Sequence, residues 1–478
     1  MDAVPVILFW VFAAWGFLSR GPGLIYLFFA TMPFSAFAVV PPSATAGLTF
    51  TPTPIVALLI IFRVLGNRQG IDFAIASAFS LRRLGLIFAF WIVAVVATLF
   101  MPRLFAGQVQ VIPVAGADIE PLRPTMQNIS QLAYMTISVA TVFAFARLME
   151  TAAMRQHALR ALCLGAAIVI ATGLLDLASE HAPLDWLLEP FRTAAYTLRT
   201  DDVVLGAKRI VGLTPEASAF GGLCLKFLSA LYFCRFAILD DRLRRRYVPV
   251  LSALLFLFAY LSTSSAALVG LAVFALMAAM EWAWRAAALR PGSRRLGAWR
   301  LQFWAAASTL AGLLIIILVE PKLLDPFVRM VNSLILQKSS SQSFAQRSEW
   351  TAVSWHSLLQ SWGMGVGLGG TRASNAAVAI ISNVGVLGAT FYAAFVVQTV
   401  RRRPTGRDAD AQLVLSGVRW ALWPGFVVGL LVGTVADFGT FVGFLFGIAC
   451  AASRPSSGTA HLNDPVQQQM PTREPVRT

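Results

Sequence analysis

Apolar residues recur along the chain in long runs that are separated by short polar or basic stretches. A helix needs about 20 mostly apolar residues to cross the hydrocarbon core of a bilayer. Thirteen runs approach this length, and because several are short enough to merge, we expect twelve or thirteen membrane-spanning helices. The expected spans are 4–19, 22–40, 50–65, 84–101, 130–149, 158–178, 214–236, 247–261, 263–284, 302–319, 376–399, 417–434 and 437–453. The pattern predicts an all-α polytopic membrane protein.

The composition supports this prediction. Of the 478 residues, 57% are hydrophobic and only 13% are charged, and the mean hydropathy is +0.70. Soluble globular proteins carry about 25% charged residues. The 35 Phe and 13 Trp residues suit a lipid-facing surface with amphipathic rings near the headgroups. The composition therefore argues against a soluble protein.

The net charge of +15 comes from short basic clusters between the apolar runs. A nucleic-acid-binding protein would instead present a continuous basic face, so we expect no nucleic-acid partner. In membrane proteins, the loops on the cytoplasmic side are enriched in Lys and Arg. Every second loop is basic, and we therefore place the following loops in the cytoplasm: 63–83, 147–160, 235–246, 285–300 and 400–419.

The alternate loops then face outward, and two of them are long, at 179–213 and 320–375. Long loops usually have a function. In the second, residues 350–362 are apolar but too short to span, and we expect a helix at the outer interface. We interpret residues 1–452 as one transmembrane domain. The polar, Pro-rich segment 453–478 is expected to be a disordered cytoplasmic tail.

No metal or cofactor site is indicated. The four cysteines lie in or beside apolar runs without CxxC spacing, and no two histidines have metal-ligand spacing. The sequence also lacks a P-loop, a G-x-S-x-G motif and an H-E-x-x-H motif. We therefore expect a protein that works without a metal or cofactor.

A glycine-rich stretch at 363–370 precedes Arg372. A dinucleotide-binding loop would need a strand before it and a helix after it in a βαβ unit, and that context is missing. Two interpretations stay open. The stretch is either a flexible turn or a loop that approaches a ligand through its backbone and leads into a helix beginning near Ser374. In the second case, the free amides of that helix and Arg372 form an anion site.

Three arginines stand in the outward loops, namely Arg209, Arg347 and Arg372. The guanidinium group is planar, stays charged and binds phosphate through two parallel hydrogen bonds. The three residues are therefore candidates for clamping a diphosphate. The alternative for each is ordinary solvated loop charge or contact with lipid headgroups.

Glu216 stands at the start of the span 214–236, directly after a proline. Proline in the first turn and an acid near the N-terminus are also typical of a plain helix start. Helix capping and function are equally favoured. A functional Glu216 would act as a general base or orient Arg209.

Lys226 falls near the middle of the same span, where a charge is costly and usually faces protein or water. Asp176, near the outer end of the preceding span, is its candidate partner. Asp437 is a further ionisable residue within the membrane. Snorkelling or structural pairing is the alternative to a functional role for all three.

Several of these motifs occur together in a known family. Arg347-Ser-Glu-Trp350 is followed by Gly365-Val-Gly367-Leu-Gly369, and Ser374-Asn375 is followed after nine residues by Gly385-Val-Leu-Gly388. This series resembles the C-terminal signature of the bacterial O-antigen ligase and polysaccharide polymerase superfamily. The Pro-Glu-Ala-Ser sequence at 215–218 is similar too. The likeness covers only about 350–400 and 209–220.

The resemblance implies about twelve spans, a large late periplasmic loop and a GT-C-like glycosyltransferase architecture in the bacterial inner membrane. It implies metal-independent glycosyl transfer at the periplasmic face, from a glycan on undecaprenyl diphosphate to a glycan acceptor. Arginines would stabilise the departing diphosphate. The catalytic candidates are Arg209, Arg347, Arg372 and Glu216, and the substrate-binding candidates are Lys208, Glu349, Gly367, Gly369, Ser374 and Asn375.

Ligases of this superfamily have a histidine where this chain has Ser374. Serine does not act as a base near neutral pH without help. The resemblance therefore favours a polymerase of exopolysaccharide, capsule or O-antigen units, with Glu216 or Glu349 as the base and other polysaccharide export proteins as partners. Ligase-type transfer to a lipid or protein acceptor is the variant within the family.

A transporter or flippase of lipid-linked glycan, which would not be an enzyme, is the alternative from another class. Twelve spans suit it equally well, but it should have broken helices and polar groups at mid-membrane in both halves. A structural subunit of a secretion complex is a third alternative.

Overall fold

The computed structural model describes residues 3–40, 49–114, 116, 118–196, 198–200, 202–204, 207–287, 342–404 and 408–453. These residues form fifteen α-helices and two short β-hairpins, which confirms the predicted all-α class. The first eight helices are α1 (Ala3–Leu18), α2 (Gly23–Thr31), α3 (Pro52–Leu65), α4 (Arg68–Ala78), α5 (Gly85–Leu104), α6 (Met126–Leu148), α7 (Ala152–Ser179) and α8 (Asp185–Leu188). The others are α9 (Ala217–Cys234), α10 (Val248–Leu261), α11 (Ser265–Ala287), α12 (Gln342–Gln360), α13 (Ala376–Arg401), α14 (Ala409–Val432) and α15 (Gly439–Ala452).

The two hairpins interrupt the loops between helices. Strand β1 (Gln110–Val111) pairs antiparallel with β2 (Glu120–Pro121) between α5 and α6. Strand β3 (Val203–Val204) pairs antiparallel with β4 (Ala207–Lys208) before α9. Each strand has only two residues, so the hairpins shape loops and do not form a sheet domain.

The protein is a multi-pass membrane protein. Seven helices of the described residues are long and apolar enough to cross a membrane, and the number is eight if the bent pair α3–α4 forms one span. Twelve of the thirteen predicted spans coincide with a helix, whereas 302–319 lies outside the described residues, as do the predicted tail 454–478 and the first part of the loop 320–375. The total of twelve or thirteen spans therefore stays a prediction.

The predicted span 22–40 is wrong in its second half. Helix α2 ends at Thr31 because Pro33 has no amide hydrogen to donate to the preceding turn. The chain continues in non-helical form, and the amide of Ala36 donates to the carbonyl of Leu213 at 3.0 Å. The apolar residues after Thr31 thus line the loop before α9.

The predicted basic loop 63–83 contains a helix that the hydropathy pattern missed. Helix α4 follows α3 after a bend of 99° and is only 11 residues long. Asn67 caps it, because its side-chain oxygen accepts the amide hydrogen of Gly70 at 2.8 Å. A helix this short does not span a bilayer, and a search for long apolar runs therefore assigns it to a loop.

The described parts of four basic loops, 63–83, 147–160, 235–246 and 400–419, meet at one end of the helix bundle, which we call the basic end. Gln156 donates to the carbonyl of Ala237 at 2.8 Å and thus joins the second basic loop to the third. Arg402, in the last of these loops, donates to the carbonyl of Arg82 in the first at 3.3 Å. The predicted alternation of loops is therefore consistent with the contacts, while the membrane side of each end stays a prediction.

The predicted outward loops meet at the opposite end, which we call the loop end. Arg155 at the basic end and Asp176 at the loop end are 21 residues apart on α7, which corresponds to about 32 Å of helix. At the loop end, the amide of Arg372 donates to the carbonyl of Ile112 at 3.0 Å. The loop 102–129 leads into α6, which runs antiparallel to α7, so the described parts of both long loops lie on the same side of the bundle.

Helix α15 packs closely on α6. A Cβ atom added at Gly443 would lie 2.9 Å from the carbonyl oxygen of Ser138, and one at Gly447 would lie 2.9 Å from that of Val142. Small residues allow such close approach between helices in membranes, where packing replaces the hydrophobic effect. The contact fixes the short helix α15 and the segment before it against the middle of α6.

A buried ion-pair network ties α7 to the start of α14. Arg155 is 1% exposed, and its guanidinium binds Asp410 at 2.5 Å and Asp408 at 2.7 Å. The carboxylates compensate a charge that would otherwise be strongly unfavourable inside the protein.

Asp408→Asn is expected to destabilise the protein by about 1–2 kcal/mol, because the buried Arg155 loses one charged hydrogen-bond acceptor. Asparagine is an equally good N-cap, so the cap on the amide of Ala411 is retained. The matched control is Asp241→Asn, whose surface pairs should be worth less than about 1 kcal/mol. Thermal unfolding in detergent measures both, and equal shifts would contradict a structural role for the network.

Candidate functional site

The first group of predicted site residues surrounds α12. The Arg372 guanidinium stacks on the ring of Trp350, with its central carbon 3.7 Å from the ring centroid. One terminal nitrogen donates to the carbonyls of Val114 and Gly116, both at 3.2 Å. These contacts hold the arginine between α12 and the loop that joins β1 to β2.

Two donors in this group have no acceptor among the described residues. They are Nε of Arg372 and the indole Nε1 of Trp350, and both are buried. A buried donor left unpaired is unfavourable by about 1–3 kcal/mol, and native proteins rarely tolerate one without a reason. Both donors therefore lack an acceptor within the part of the chain that the structure describes.

Arg347 adds a second positive charge to this group. It lies one turn before Thr351 on α12, close enough that its charge lowers the pKa of Arg372. Burial is the larger cause of that lowering, but an arginine stays charged at neutral pH. Within the described residues, the Arg347 side chain makes no hydrogen bond or ion pair, and no carboxylate pairs with Arg372. The two like charges thus favour an anion beside them.

The glycine-rich stretch is tightly packed and is not an open turn. Gly363, Gly365, Gly367 and Gly369 all have positive φ, between 75° and 82°, which L side chains rarely adopt. A Cβ atom at Gly365 would lie 2.5 Å from the amide nitrogen of Gly385. The stretch therefore winds against the kink that Gly385 makes in α13.

Most amides of this stretch are already used. The amide of Gly367 donates to the carbonyl of Asn383 at 2.9 Å, and that of Leu368 to the hydroxyl of Thr98 at 3.1 Å. Gly367 and Gly369 were predicted to bind substrate through the backbone. The geometry instead gives Gly367 a scaffold role, in which the loop places Arg372 beside α12.

Ser374 and Asn375 form the start of α13. The helix begins at Ala376, as the predicted span 376–399 has it, and the Asn375 side chain caps the amides of Ala377 and Val378 at 2.9 and 3.2 Å. Ser374 is 8% exposed, and its amide donates to the hydroxyl of Thr351 at 3.1 Å. Both residues thus fix the junction of α12 and α13.

The second group surrounds Arg209. Its Nε donates to the Thr263 hydroxyl at 3.2 Å and to the Ser262 carbonyl at 3.3 Å, and a terminal nitrogen lies 3.9 Å from Asp202. Burial lowers the pKa of Arg209, whereas the charges of Asp202 and Glu216 raise it. Thr263 has a φ of 47°, which is strained for a β-branched residue. Strained residues cluster at functional sites.

Glu216 precedes the first residue of α9 but does not cap it. The helix starts at Ala217, so Pro215 lies outside the first turn where we had expected it. The Glu216 carboxylate instead accepts a hydrogen bond from the Ser218 hydroxyl and faces the charge of Arg209. Plain helix capping does not explain this side chain, and its role in orienting Arg209 stays a prediction.

The remaining candidates lie at the edges of these groups. Lys208 is the last residue of β4, next to Arg209, and is half-buried. Glu349 is exposed on α12. No hydrogen bond or ion pair between described residues joins the Arg209 group to the Arg372 group, but both lie at the loop end.

A cavity of about 260 Å³ opens beside the Arg372 group. Its walls are the β1–β2 hairpin, with Glu120 and Arg123, and the glycines Gly369 and Gly370. The carbonyl of Gly116, which also lines the cavity, accepts a hydrogen bond from Arg372. The arginine is thus anchored to the wall of a partly polar space at the loop end.

Several residues of the site were missed in the sequence. Trp350 belongs to the motif at 347–350. The sequence does not indicate that it stacks on Arg372, which follows it by 22 residues. The roles of Asp202 and Thr263 depend on contacts with Arg209 that the sequence does not indicate. The described residues contain no group of three or more His, Cys, Asp or Glu placed to hold a metal ion.

Asp176 is not the partner of Lys226, contrary to the sequence-based expectation. Its carboxylate binds Arg192 at 2.9 Å and accepts the amides of Val211 and Gly212 at 2.7 and 3.0 Å. It therefore fixes the long loop before α9.

No protein-family model matches the sequence, and no curated protein matches it.

Proposed function

We propose that the protein is a polysaccharide polymerase that joins oligosaccharide units carried on undecaprenyl diphosphate. It works at the periplasmic face of the bacterial inner membrane, with a GT-C-like arrangement of its helices. The observation that supports this most is the pair of unpaired donors, Arg372 Nε and Trp350 Nε1, beside the unneutralised Arg347. A diphosphate supplies the acceptors and the negative charge that this group lacks.

In this mechanism, the acceptor hydroxyl attacks the anomeric carbon of the donor sugar and the bond to the diphosphate oxygen breaks. Negative charge develops on the leaving diphosphate, and fixed positive groups stabilise it most where water is excluded. Arg347 and Arg372 bind that charge. Arg209, held by Asp202 and the α10–α11 turn, is the candidate for a second contact from the other long loop. Glu216 or Glu349 accepts the proton of the acceptor.

Two other functions are kept as candidates. Ligase-type transfer to a lipid or protein acceptor uses the same donor, but Ser374 stands at the histidine position and is buried. A flippase of lipid-linked glycan is favoured by the bend between α3 and α4, the kink at Gly385 and the charges of Lys226 and Asp437 inside the bundle.

Deleting the gene in the host bacterium and analysing its glycans distinguishes these functions. A polymerase deletion should remove long chains and accumulate single lipid-linked units on the outer face. A flippase deletion should accumulate the same units on the inner face, protected from an impermeant glycosidase. A ligase deletion should leave long chains on the lipid carrier. Normal chain length with unaltered intermediates would overturn the proposal.

A further inference from the structure

Helix α4 lies across the basic end of the bundle. Helix α3 runs beside α6, because the carbonyl of Thr49, just before α3, accepts a hydrogen bond from the Tyr134 hydroxyl at 2.9 Å. At the other end of α3, the carbonyl of Gln69 accepts one from Arg147, near the end of α6. The bend of 99° after α3 therefore turns α4 across the direction of both helices. A helix in this orientation lies parallel to the membrane surface.

One side of α4 is apolar and exposed. Ile71, Ile75 and Phe79 follow one another at intervals of one turn, and each is at least half exposed, reaching 81% at Phe79. Helices that lie in the membrane interface bury such a face between the headgroups and the acyl chains. We therefore expect α4 to contact lipid.

A groove of about 270 Å³ opens between α4, α5 and α6. We call it the α4 groove, and its walls include Ile75, Phe79, Phe88, Trp91, Ala140 and Phe143. The rings of Phe79 and Phe88 meet edge to face, with their centroids 6.0 Å apart, and join the end of α4 to α5. An apolar cavity of about 150 Å³ holds a benzene molecule, so this groove has room for a longer hydrocarbon segment.

The side chains that line the α4 groove offer no free hydrogen-bond donor. Only Trp91 and Thr136 among them have polar atoms. The indole Nε1 of Trp91 donates to the Thr136 hydroxyl at 3.0 Å, and that hydroxyl donates to the carbonyl of Leu132 at 2.7 Å. A polar ligand would lose its hydration here without compensation, whereas a hydrocarbon would not.

The α4 groove reaches from the basic end into the membrane. Phe143 and Thr136 are five and twelve residues before Leu148, the last residue of α6, which corresponds to roughly 8 and 18 Å of helix. Half of the hydrocarbon core of a bilayer is about 15 Å thick. The groove thus has the depth of one leaflet, and an acyl chain of that leaflet matches it in length.

Three arginines stand at the outer end of the groove. Arg147 follows the groove by one turn on α6, and its central carbon is 5.6 Å from the ring centroid of Phe73 on α4. Arg82 and Arg83 lie in the turn that joins α4 to α5. Within the described residues, no carboxylate pairs with any of the three, and the side chains of Arg82 and Arg83 make no hydrogen bond. The charges at this end of the groove are therefore not neutralised by the protein.

We propose that the α4 groove binds an acyl chain of an anionic phospholipid, whose phosphate contacts these three arginines. The apolar walls match the chain, and guanidinium groups bind phosphate through charged hydrogen bonds. The predicted topology places the basic end at the cytoplasmic leaflet, whose anionic lipids attract basic segments. The bound lipid joins α4 to α5 and α6. This site does not depend on the proposed polymerase function, because the arginines assigned to the diphosphate lie at the loop end.

Binding of two lipids with identical chains tests the role of charge. Dioleoyl phosphatidylglycerol is anionic, whereas dioleoyl phosphatidylcholine has no net charge. Native mass spectrometry of the delipidated full-length protein measures the affinity of the first bound lipid. We expect the anionic lipid to bind about 100-fold more tightly, since each arginine near an anionic headgroup contributes about fivefold. Equal affinity for the two lipids would overturn the proposal.

The double variant Arg82→Gln/Arg83→Gln assigns this preference to the groove. It should weaken phosphatidylglycerol binding about 25-fold and leave phosphatidylcholine binding unchanged. The matched control is Arg242→Gln/Arg246→Gln, which removes two exposed charges from another basic loop. The control should retain the affinity of the unaltered protein. An equal loss in both variants would indicate attraction to net charge alone and would contradict the site.

Ala140→Phe tests whether the groove holds the chain. Ala140 is half-buried and lines the groove, so the added ring occupies the space of the acyl chain. The affinity for phosphatidylglycerol should fall about tenfold. The control Ala133→Phe adds the same ring at an exposed position of α6 outside the groove lining and should have no effect. Unchanged binding to Ala140→Phe would show that the chain lies elsewhere.

Crosslinking in the unaltered protein locates the lipid without any substitution. Phosphatidylglycerol with a diazirine in the middle of one acyl chain should crosslink to the peptides that contain Ile75, Trp91 or Ala140. Crosslinks confined to other helices would overturn the proposal even if a variant misfolds. Excess unlabelled phosphatidylglycerol should remove the crosslinks. Stronger removal by undecaprenyl phosphate would assign the groove to the lipid carrier and would also overturn the proposal.

Discussion

Arg347→Ala is expected to lower polymer formation by about 10²–10³-fold while leaving the thermal stability of the protein unchanged. The activity falls because one fixed charge beside the departing diphosphate is lost. The stability is unchanged because the Arg347 side chain makes no hydrogen bond or ion pair within the described residues. Polymer length on gels and turnover of purified lipid-linked units measure the first effect, and thermal unfolding in detergent measures the second.

Arg103→Ala is the matched control, because it removes an exposed positive charge at the same end of the bundle. It should leave polymer formation close to that of the unaltered protein. Arg372→Ala is a less clean test, because that side chain also anchors the β1–β2 loop through Val114 and Gly116. Wild-type turnover in Arg347→Ala would refute the role of this arginine.

Gly385→Ala is expected to destabilise the protein by about 2–5 kcal/mol. Gly385 has a φ of 73° in the middle of α13, and a Cβ atom there would lie 2.5 Å from the carbonyl oxygen of Met364. The left-handed conformation is unfavourable for alanine, and the contact with a backbone atom forces either α13 or the glycine-rich stretch to move. The unfolding temperature in detergent and the yield of folded protein report the effect.

Gly222→Ala on α9 is the control, because a Cβ atom there meets nothing within 4 Å. It should change the stability by no more than about 1 kcal/mol, with a gain expected from the better helix propensity of alanine. If Gly385→Ala behaved like this control, the interlocking of the glycine-rich stretch with α13 would not contribute to stability.

The sequence predicted the helical class and most helix positions because hydropathy is a local signal. A run of apolar residues identifies a span whatever it packs against, and twelve of the thirteen runs fall on a helix. The predicted helices are wrong where a proline interrupts an apolar run or where a helix is too short to be recognised by its hydropathy. Pro33 ends α2 within an apolar run, and the short amphipathic α4 has too few apolar residues to register as a span.

The candidate site was predictable only in part, since its contacts join distant positions. The three predicted arginines lie at the loop end, but the sequence did not indicate the residues that they contact. Trp350 stacks on Arg372, and Thr263 binds Arg209 from a turn 54 residues away. Asp176 was the predicted partner of Lys226 because it lies on the preceding span, whereas the structure pairs Asp176 with Arg192. Which residue a side chain contacts depends on how the helices pack. Local sequence patterns do not indicate that packing.

The network around Arg155 also bears on how the protein meets its lipids. Arg155 and Arg402 are 1% and 8% exposed, with their charges taken up by carboxylates or backbone carbonyls. While the chain is being inserted and its helices are still apart, both are free to act as orientation signals. Once the helices pack, neither reaches the anionic headgroups, where each would contribute about 1 kcal/mol of attraction. The folded protein is therefore attracted to acidic lipids less strongly than the number of its basic residues suggests.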